Sequence, residues 1–495
     1  MSPAKLARWL HLGHRWLGMG LGLMLLLWFG SGVVMLFVAR PQLTDAERLA
    51  ALPALAAERV RVSPLAAWQA LGLTGWPEVV RLNMAGDRPA YRFLAQKHWS
   101  TVYADDASLF ATPDTAQALH LAAAHLGDAG VAAVTPLALD QWTVYRQFDA
   151  WRPFLRIELA DGRDYYLSTG SGEVVLDTNR SERAWNWIGS VVHWLYFTPL
   201  RQHGELWRGL LLSISFAALL MALAGLYLGW QRLRLRTPYP GGRRTPYRAA
   251  WKYWHHLLGL SGGIFVVTWL LSGWLSLAPL GLARGVYPTP AEQQQLAGGE
   301  LSADVLDWLP EITPATREVD WLRFAGQPLA RLRQLDAEQV IVERNGQHRR
   351  QLGLDEIALA AAALRPATAY QAQWLNEPDS RYFSLRHQPR SFPVARLDFA
   401  DSERSVFYID PLSGRIVTQA NRHDSAHRWL YLALHRFDFA PLLARAWRRD
   451  TLIIFLSLIG GALCLSGCVL GWRRVVRPHR PVDASNQGKI PDQDI

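Results

Sequence analysis

Cysteine is nearly absent from this chain of 495 residues: there are two, Cys464 and Cys468. Both fall inside one apolar run, so no disulfide can staple the polar parts of the chain, which must be held by their own cores. The two thiols read as small apolar packing residues. Charge is also scarce, at 19% of residues, and four runs at about 16–38, 209–230, 257–278 and 451–472 contain no Asp, Glu, Lys or Arg. Each run is long enough to cross a hydrocarbon layer of roughly 30 Å at about 1.5 Å per residue. Also missing are a G-x-G-x-x-G opening a helix after a strand, a Walker loop, C-x-x-C-H and H-E-x-x-H. The sequence therefore carries no signal for a nicotinamide, ATP, covalently attached haem or catalytic zinc.

What is present is a repeat. At an offset of 241, His14, Gly18, Trp28 and Ser31-Gly32 fall on His255, Gly259, Trp269 and Ser272-Gly273. Near the ends of the halves the offset is 242. There Ser171-Gly172, Asn179-Arg180, His193, Pro199, Gly225 and Gly229-Trp230 fall on Ser413-Gly414, Asn421-Arg422, His435, Pro441, Gly467 and Gly471-Trp472. A fixed period predicts two copies of one unit around a pseudo-two-fold axis. A residue kept by both copies can then face its mate across that axis.

Basic residues orient the spans. Lys5, Arg8 and Arg15 precede the first run, and Arg232, Arg234, Arg236, Arg243, Arg244, Arg248 and Lys252 lie between the second and third. Arg473, Arg474, Arg477 and Arg480 follow the fourth. The positive-inside rule puts all three segments, and both termini, in the cytoplasm. The loops at 41–205 and 279–450 then lie outside, in a periplasm or its equivalent. These flanks account for most of the net charge of +10, so no nucleic-acid partner is needed; the partner implied is a lipid bilayer. The first run is too long for a cleavable signal peptide and lacks a small-x-small site after it.

The expected fold is a membrane α-helical protein with four transmembrane helices, an internal two-fold repeat and two external α+β domains. Its expected segments are 1–40 (N-terminus and first span), 41–205 (external domain and pre-span helix), 206–230, 231–253 (basic linker), 254–279, 280–449 (second external domain), 450–472 and a polar tail at 473–495. Strands are expected at 79–84, 90–95 and 100–103, with a helix at 63–71. Further strands are expected at 155–159, 164–167 and 173–176, and at 395–399, 405–409 and 415–418, with Ser171-Gly172 and Ser413-Gly414 as turns. Small antiparallel sheets, each covered by a helix, follow from that pattern.

Histidine placement is the chemical signal. His14 and His255 lie at the cytoplasmic starts of spans one and three. His193 and His435 lie outside, in aromatic-rich segments at 185–200 and 427–442, whose ends Pro199 and Pro441 should limit. Symmetry pairs His14 with His255 and His193 with His435. Two neutral imidazoles from facing helices suit the axial positions of a b haem, so two haems are expected, with no metal beyond their iron. The competing reading is an interfacial histidine with its ring at headgroup level. His11 lies opposite Lys252 and His427 opposite Trp185; these two are the second choices as ligands. Gly13, Gly18, Gly20, Gly22, Gly259, Gly262 and Gly263 could admit a flat macrocycle or serve helix contacts. Arg15, Lys252, Arg201 and Arg436 could pair with propionates. Outside, Trp142, Arg146 and Arg152 in one half and Tyr382 and Arg386 in the other could hold an anionic or aromatic ferric chelate, or form a domain contact. No general acid or base is called for, and an electron donor would be a separate quinol or soluble flavin reductase.

The His14-Arg15-Trp16-Leu17-Gly18 stretch with Ser31-Gly32, and Leu434-His435-Arg436-Phe437-Asp438-Phe439, resemble the PepSY-associated transmembrane family. The Tyr-x5-Gly hairpins ending at Gly172 and Gly414 are similar to its external PepSY-like lobes. The resemblance runs to about Arg477. It implies, through haem-containing relatives, a bacterial inner-membrane reductase of ferric siderophores in iron uptake. Thr198-Pro199 and Ala440-Pro441 stand where the family has a Gly-rich stretch. Two rivals remain: a non-enzymatic envelope protein binding a partner such as a peptidase, and a metal or small-solute transporter, which needs polar groups or broken helices near the midplane.

Overall fold

The structure, a computed structural model, describes residues 2–335 and 338–476. The polar tail, with Arg477 and Arg480, lies outside the described residues. The chain forms two compact units. One gathers the described residues of 2–30, 213–271 and 451–476; the other gathers Ser31–Leu212 and Ser272–Asp450.

The helical unit is built from the apolar runs. Among the described residues, three helices are long and apolar enough to cross a membrane: Lys5–Phe37, Gly204–Arg232 and Ala446–Val476. All three extend beyond the charge-free runs, because straight-chain basic residues at the flanks are good helix formers. The third run differs from expectation. It is two helices, Ala250–Ser261 and Gly263–Leu275, bent by 60° at the break, and counts as a fourth span only if the pair is one. The cause is local. A Cβ on Gly262 would sit 2.5 Å from Ile459 Cγ2, and one on Gly263 would sit 2.8 Å from Leu226 Cδ2. The two glycines let neighbouring side chains press into the helix, which kinks there. Leu25, Ala218, Leu219, Val266, Leu270 and Cys464 form the unit's core. Both cysteines are free thiols, and Cys464 is buried.

The second unit is rich in antiparallel sheet. Strands β1 (Val79–Ala85), β2 (Arg88–Ala95) and β3 (His98–Tyr103) come from the first long loop. So do β4 (Val131–Leu137), β5 (Phe154–Leu159), β6 (Asp164–Ser168) and β7 (Val174–Thr178). The second loop supplies β8 (Thr316–Phe324), β9 (Gln327–Gln334), β10 (Gln339–Glu343) and β11 (His348–Arg349). It also supplies β12 (Tyr370–Leu375), β13 (Val394–Phe399), β14 (Val406–Ile409) and β15 (Ile416–Ala420).

Two meanders, β4-β5-β6-β7 and β12-β13-β14-β15, are separate four-stranded sheets. Their last hairpins turn at Gly172 (φ +68°) and Gly414 (φ +65°), the left-handed positions that the Ser-Gly pairs predict. Each of these hairpins carries a register shift, at Tyr166/Leu167 and Tyr408/Ile409. Helices Thr115–Leu126 and Leu354–Ala362 lend apolar faces to the two cores.

The remaining strands do not stay in separate lobes. They make one seven-stranded sheet in the order β11-β10-β9-β8-β1-β2-β3. The join is antiparallel, with Val80 opposite Trp321 and Leu82 opposite Val319. Val80, Leu82, Val319 and Trp321 are buried in a common core. In a three-stranded sheet β1 would present an apolar edge to water, and pairing with β8 removes that edge.

Each meander leads into a helical segment with a wide π turn, Trp187–Val191 in the first half and His427–Ala433 in the second. Each segment stops at a left-handed residue, Leu195 (φ +49°) and Phe437 (φ +55°). Pro199 and Pro441 therefore do not end these segments as expected. They sit in the first turns of the next short helices, Thr198–Arg201 and Ala440–Leu443, where a missing N–H costs nothing.

Candidate functional site

The helical unit brings His14 and His255 together. Their ring centroids are 6.2 Å apart and the planes are inclined at 48°. His14 Nδ1 lies 2.9 Å from the Met221 carbonyl oxygen. A carbonyl can only accept, so Nδ1 carries the proton and the neutral ring's lone pair is on Nε2. His255 Nδ1 lies 2.9 Å from Ser466 Oγ. That hydroxyl donates to the Leu463 carbonyl at 2.6 Å, so it accepts from His255 and the same tautomer results. A glycine faces each ring. A Cβ on Gly225 would stand 2.5 Å from His14 Cε1, and one on Gly467 would stand 3.4 Å from His255 Cε1.

The sheet-rich unit repeats the arrangement with His193 and His435, whose centroids are 6.3 Å apart at 66°. Nδ1 of His193 lies 3.1 Å from Ser31 Oγ, and Nδ1 of His435 lies 3.0 Å from Ser272 Oγ. Here Gly32 and Gly273 face the rings, with built Cβ atoms at 3.4 and 3.3 Å from Cε1. The serine and glycine next to one another in the chain thus anchor and clear one imidazole.

A b haem fits these residues. An imidazole nitrogen binds a metal at about 2 Å, so the separation within each pair would let both rings hold one iron. All four histidines are held through Nδ1, the kind of contact that orients a ligating ring, and for His14 and His255 it leaves the lone pair on Nε2. Among the described residues, no group of three or more His, Cys, Asp or Glu side chains is placed to hold a metal ion.

The supporting residues are partly those expected. Of the seven glycines, Gly13 and Gly20 have open space where a Cβ would be, whereas Gly262 and Gly263 are packed at the helix break. The glycines touching the rings are Gly32, Gly225, Gly273 and Gly467, all of which the repeat had marked without assigning a role. Ser466 carries no such mark, because Ala224 stands at its equivalent.

The second-choice histidines have other contacts. His427 Nδ1 lies 3.0 Å from the Ala283 carbonyl. Its ring is 5.2 Å from Tyr431, which is 5.6 Å from His435. His11 stays on the first helix without joining either pair. Among the proposed propionate partners, Arg201 lies over Tyr196 and Trp207 at 5.0 and 4.7 Å, and Arg15 over Trp16 at 5.5 Å. Arg436 pairs with the fully buried Asp438 at 3.1 Å. Burial opposes the charge on Asp438 and raises its pKa, although Arg436, Arg449 and Arg428 oppose that rise.

The five residues read as a chelate-binding surface do not make one. Trp142 is buried in the core of the first meander. Tyr382 is buried too, stacked 5.3 Å from Tyr408. Arg152 is tied to Asp149 and the Thr143 carbonyl, and Arg386 to Asp450 at 2.8 Å. Arg146 approaches Gly204 beside Arg201. Aromatic and basic residues near each other in sequence satisfied the pattern, but both aromatic rings come from turns that fold over a sheet and pack into its core.

Long apolar helices joined to an extensive antiparallel β structure define an integral membrane protein with a large folded part beyond its spans. Residues 11–305 match the family model described as the PepSY-associated TM region, and the chain belongs to that family. The match stops short of the second pre-span segment, so the likeness at Leu434–Phe439 is not part of it. No curated protein matches the chain.

Proposed function

We propose that this is a four-span inner-membrane protein that carries single electrons to ferric siderophores or other ferric chelates on the periplasmic side. The observation that carries the reading is the doubled histidine pair, with centroids 6.2 and 6.3 Å apart and all four rings held through Nδ1. A b haem bound at each pair would supply reversible one-electron exchange at its iron. His14 and His255 would hold one, and His193 and His435 the other. Met221, Ser466, Ser31 and Ser272 keep each ring in orientation, and the facing glycines keep side chains out of its way. A quinol or reduced flavin as separate donor would give two electrons, and each electron would convert one Fe(III) to Fe(II). Hard-oxygen chelators bind ferrous iron far more weakly, so the metal would be released.

The bend at Gly262 is the one feature a transporter would share. It is filled by Ile459 and Leu226 rather than polar groups, which favours packing over a solute site.

The test is the visible spectrum of the detergent-purified protein, oxidised and dithionite-reduced, with haem quantified. We expect a bis-imidazole b-type spectrum at about two haems per chain. His14→Ala and His193→Ala should each remove one of them. A colourless protein from haem-replete cells would overturn the reading and promote the envelope-partner role.

A further inference from the structure

We propose that the sheet-rich unit binds a small aromatic carboxylate in a cavity beside β1, β7 and the helix Asp45–Ala51. The cavity has a volume of about 300 Å³. One wall is apolar, with Leu43, Phe148 and Trp151; the other is charged, with Arg48, Arg81, Asp45 and Glu173. That volume is at the small end for ligand pockets and suits a single ring with one acidic group.

The charges are unbalanced. Arg48, Arg81, Arg92 and Arg333 form ion pairs with Asp45, Glu173 and Glu318. Four guanidinium groups thus meet three carboxylates, and one positive charge is left over. Glu173 and Glu318 are almost fully buried and already shared: Glu318 accepts from Arg48 at 2.6 and 2.7 Å and from Arg333 at 2.9 Å. Arg81 reaches Glu173 only at 3.3 Å, and among the described residues its buried Nε has no hydrogen-bond acceptor. A buried cation without full compensation is costly, and a monoanion in the adjoining cavity would relieve it.

The aromatic part of the ligand follows from the walls. Trp151 stacks on Trp99 at 4.6 Å, and the Arg81 guanidinium lies 4.4 Å from the Trp99 ring and 5.6 Å from that of Trp151. A planar carboxylate could extend the stack while its acid group meets Arg81 and Arg48. Inorganic phosphate would bring a second charge and no apolar surface. The site is independent of haem.

The experiment is calorimetric titration of the full-length protein in detergent with benzoate, cyclohexanecarboxylate and inorganic phosphate. We expect one benzoate per chain, with the other two anions weaker. Arg81→Gln should weaken benzoate about tenfold or more, the loss of one charge-assisted contact. Trp151→Leu, a milder change on the apolar wall, should weaken benzoate while leaving cyclohexanecarboxylate nearly unchanged. Near-ultraviolet circular dichroism would check that both variants fold. Absence of saturable benzoate binding at millimolar concentration, or equal binding by wild type and both folded variants, would overturn the proposal. So would phosphate binding as tightly as benzoate. Benzoate binding by a colourless protein would leave this site standing and sink only the haem reading.

Discussion

The Nδ1 atoms of His14, His255, His193 and His435 each meet an oxygen between 2.9 and 3.1 Å away. The glycines opposite them are not equally tight, and that inequality is testable. At Gly225 a methyl group would collide with His14, whereas at Gly467 it would make an ordinary contact with His255. Gly225→Ala should therefore lower haem content by roughly one per chain, and Gly467→Ala should leave it near wild type, as measured by pyridine haemochrome assay. Asp177 makes a second residue-scale case. Burial, with Glu47 and Glu182 nearby, pushes its pKa up to about 6. A raised carboxyl pKa gives stability that is full below the ordinary value near 4 and lost as pH rises through about 6. Asp177→Asn should raise thermal stability at pH 7.5, by about 1 kcal/mol once solvent screening is allowed for, and change little at pH 4. The histidines were legible because the chain states them twice. Their oxygen partners Met221 and Ser466 were not: the first acts through a backbone carbonyl, which leaves no trace in a residue name, and the second is a serine where the other half has Ala224.

At the scale of elements, the hairpins that end at Gly172 and Gly414 could be read directly, because a positive φ demands glycine there. The strands β4 and β12 escaped notice. Both lie at sheet edges and are largely exposed, so their residues lack the alternation that marks a half-buried strand. The break in the third apolar run was hidden for another reason. Glycine pairs are common in membrane helices, and only the positions of Ile459 and Leu226 show that this pair is under pressure. Gly262→Ala should destabilise the protein by about 1–3 kcal/mol through overpacking. Adding Ile459→Ala should restore most of that loss, since it removes the colliding atom; thermal unfolding in matched detergent is the measurement.

For the molecule as a whole, the buried ion network governs acid behaviour. Burial opposes the charge on Glu318 and Glu173, but the surrounding arginines prevail and hold both carboxyls below their usual range. A depressed carboxylate gives stability that is present above about pH 4 and lost as pH falls through the lowered values. The sheet-rich part should thus loosen in acid. Glu318→Gln should remove about 3–5 kcal/mol at neutral pH and flatten the acid limb of the unfolding profile. Loss of slow hydrogen exchange in β1 and β8 would report it.

The pairing of β1 with β8 has a consequence for the history and engineering of such a chain. If the two halves arose by duplication, the copies have since become mutually dependent, because one holds three strands and the other four of a sheet that neither completes alone. Cleaving the peptide between residues 237 and 246 should leave two fragments that copurify, joined by a backbone ladder and a common core instead of by a covalent bond. Either fragment produced singly would expose a sticky strand margin and would need its sibling to stay in solution.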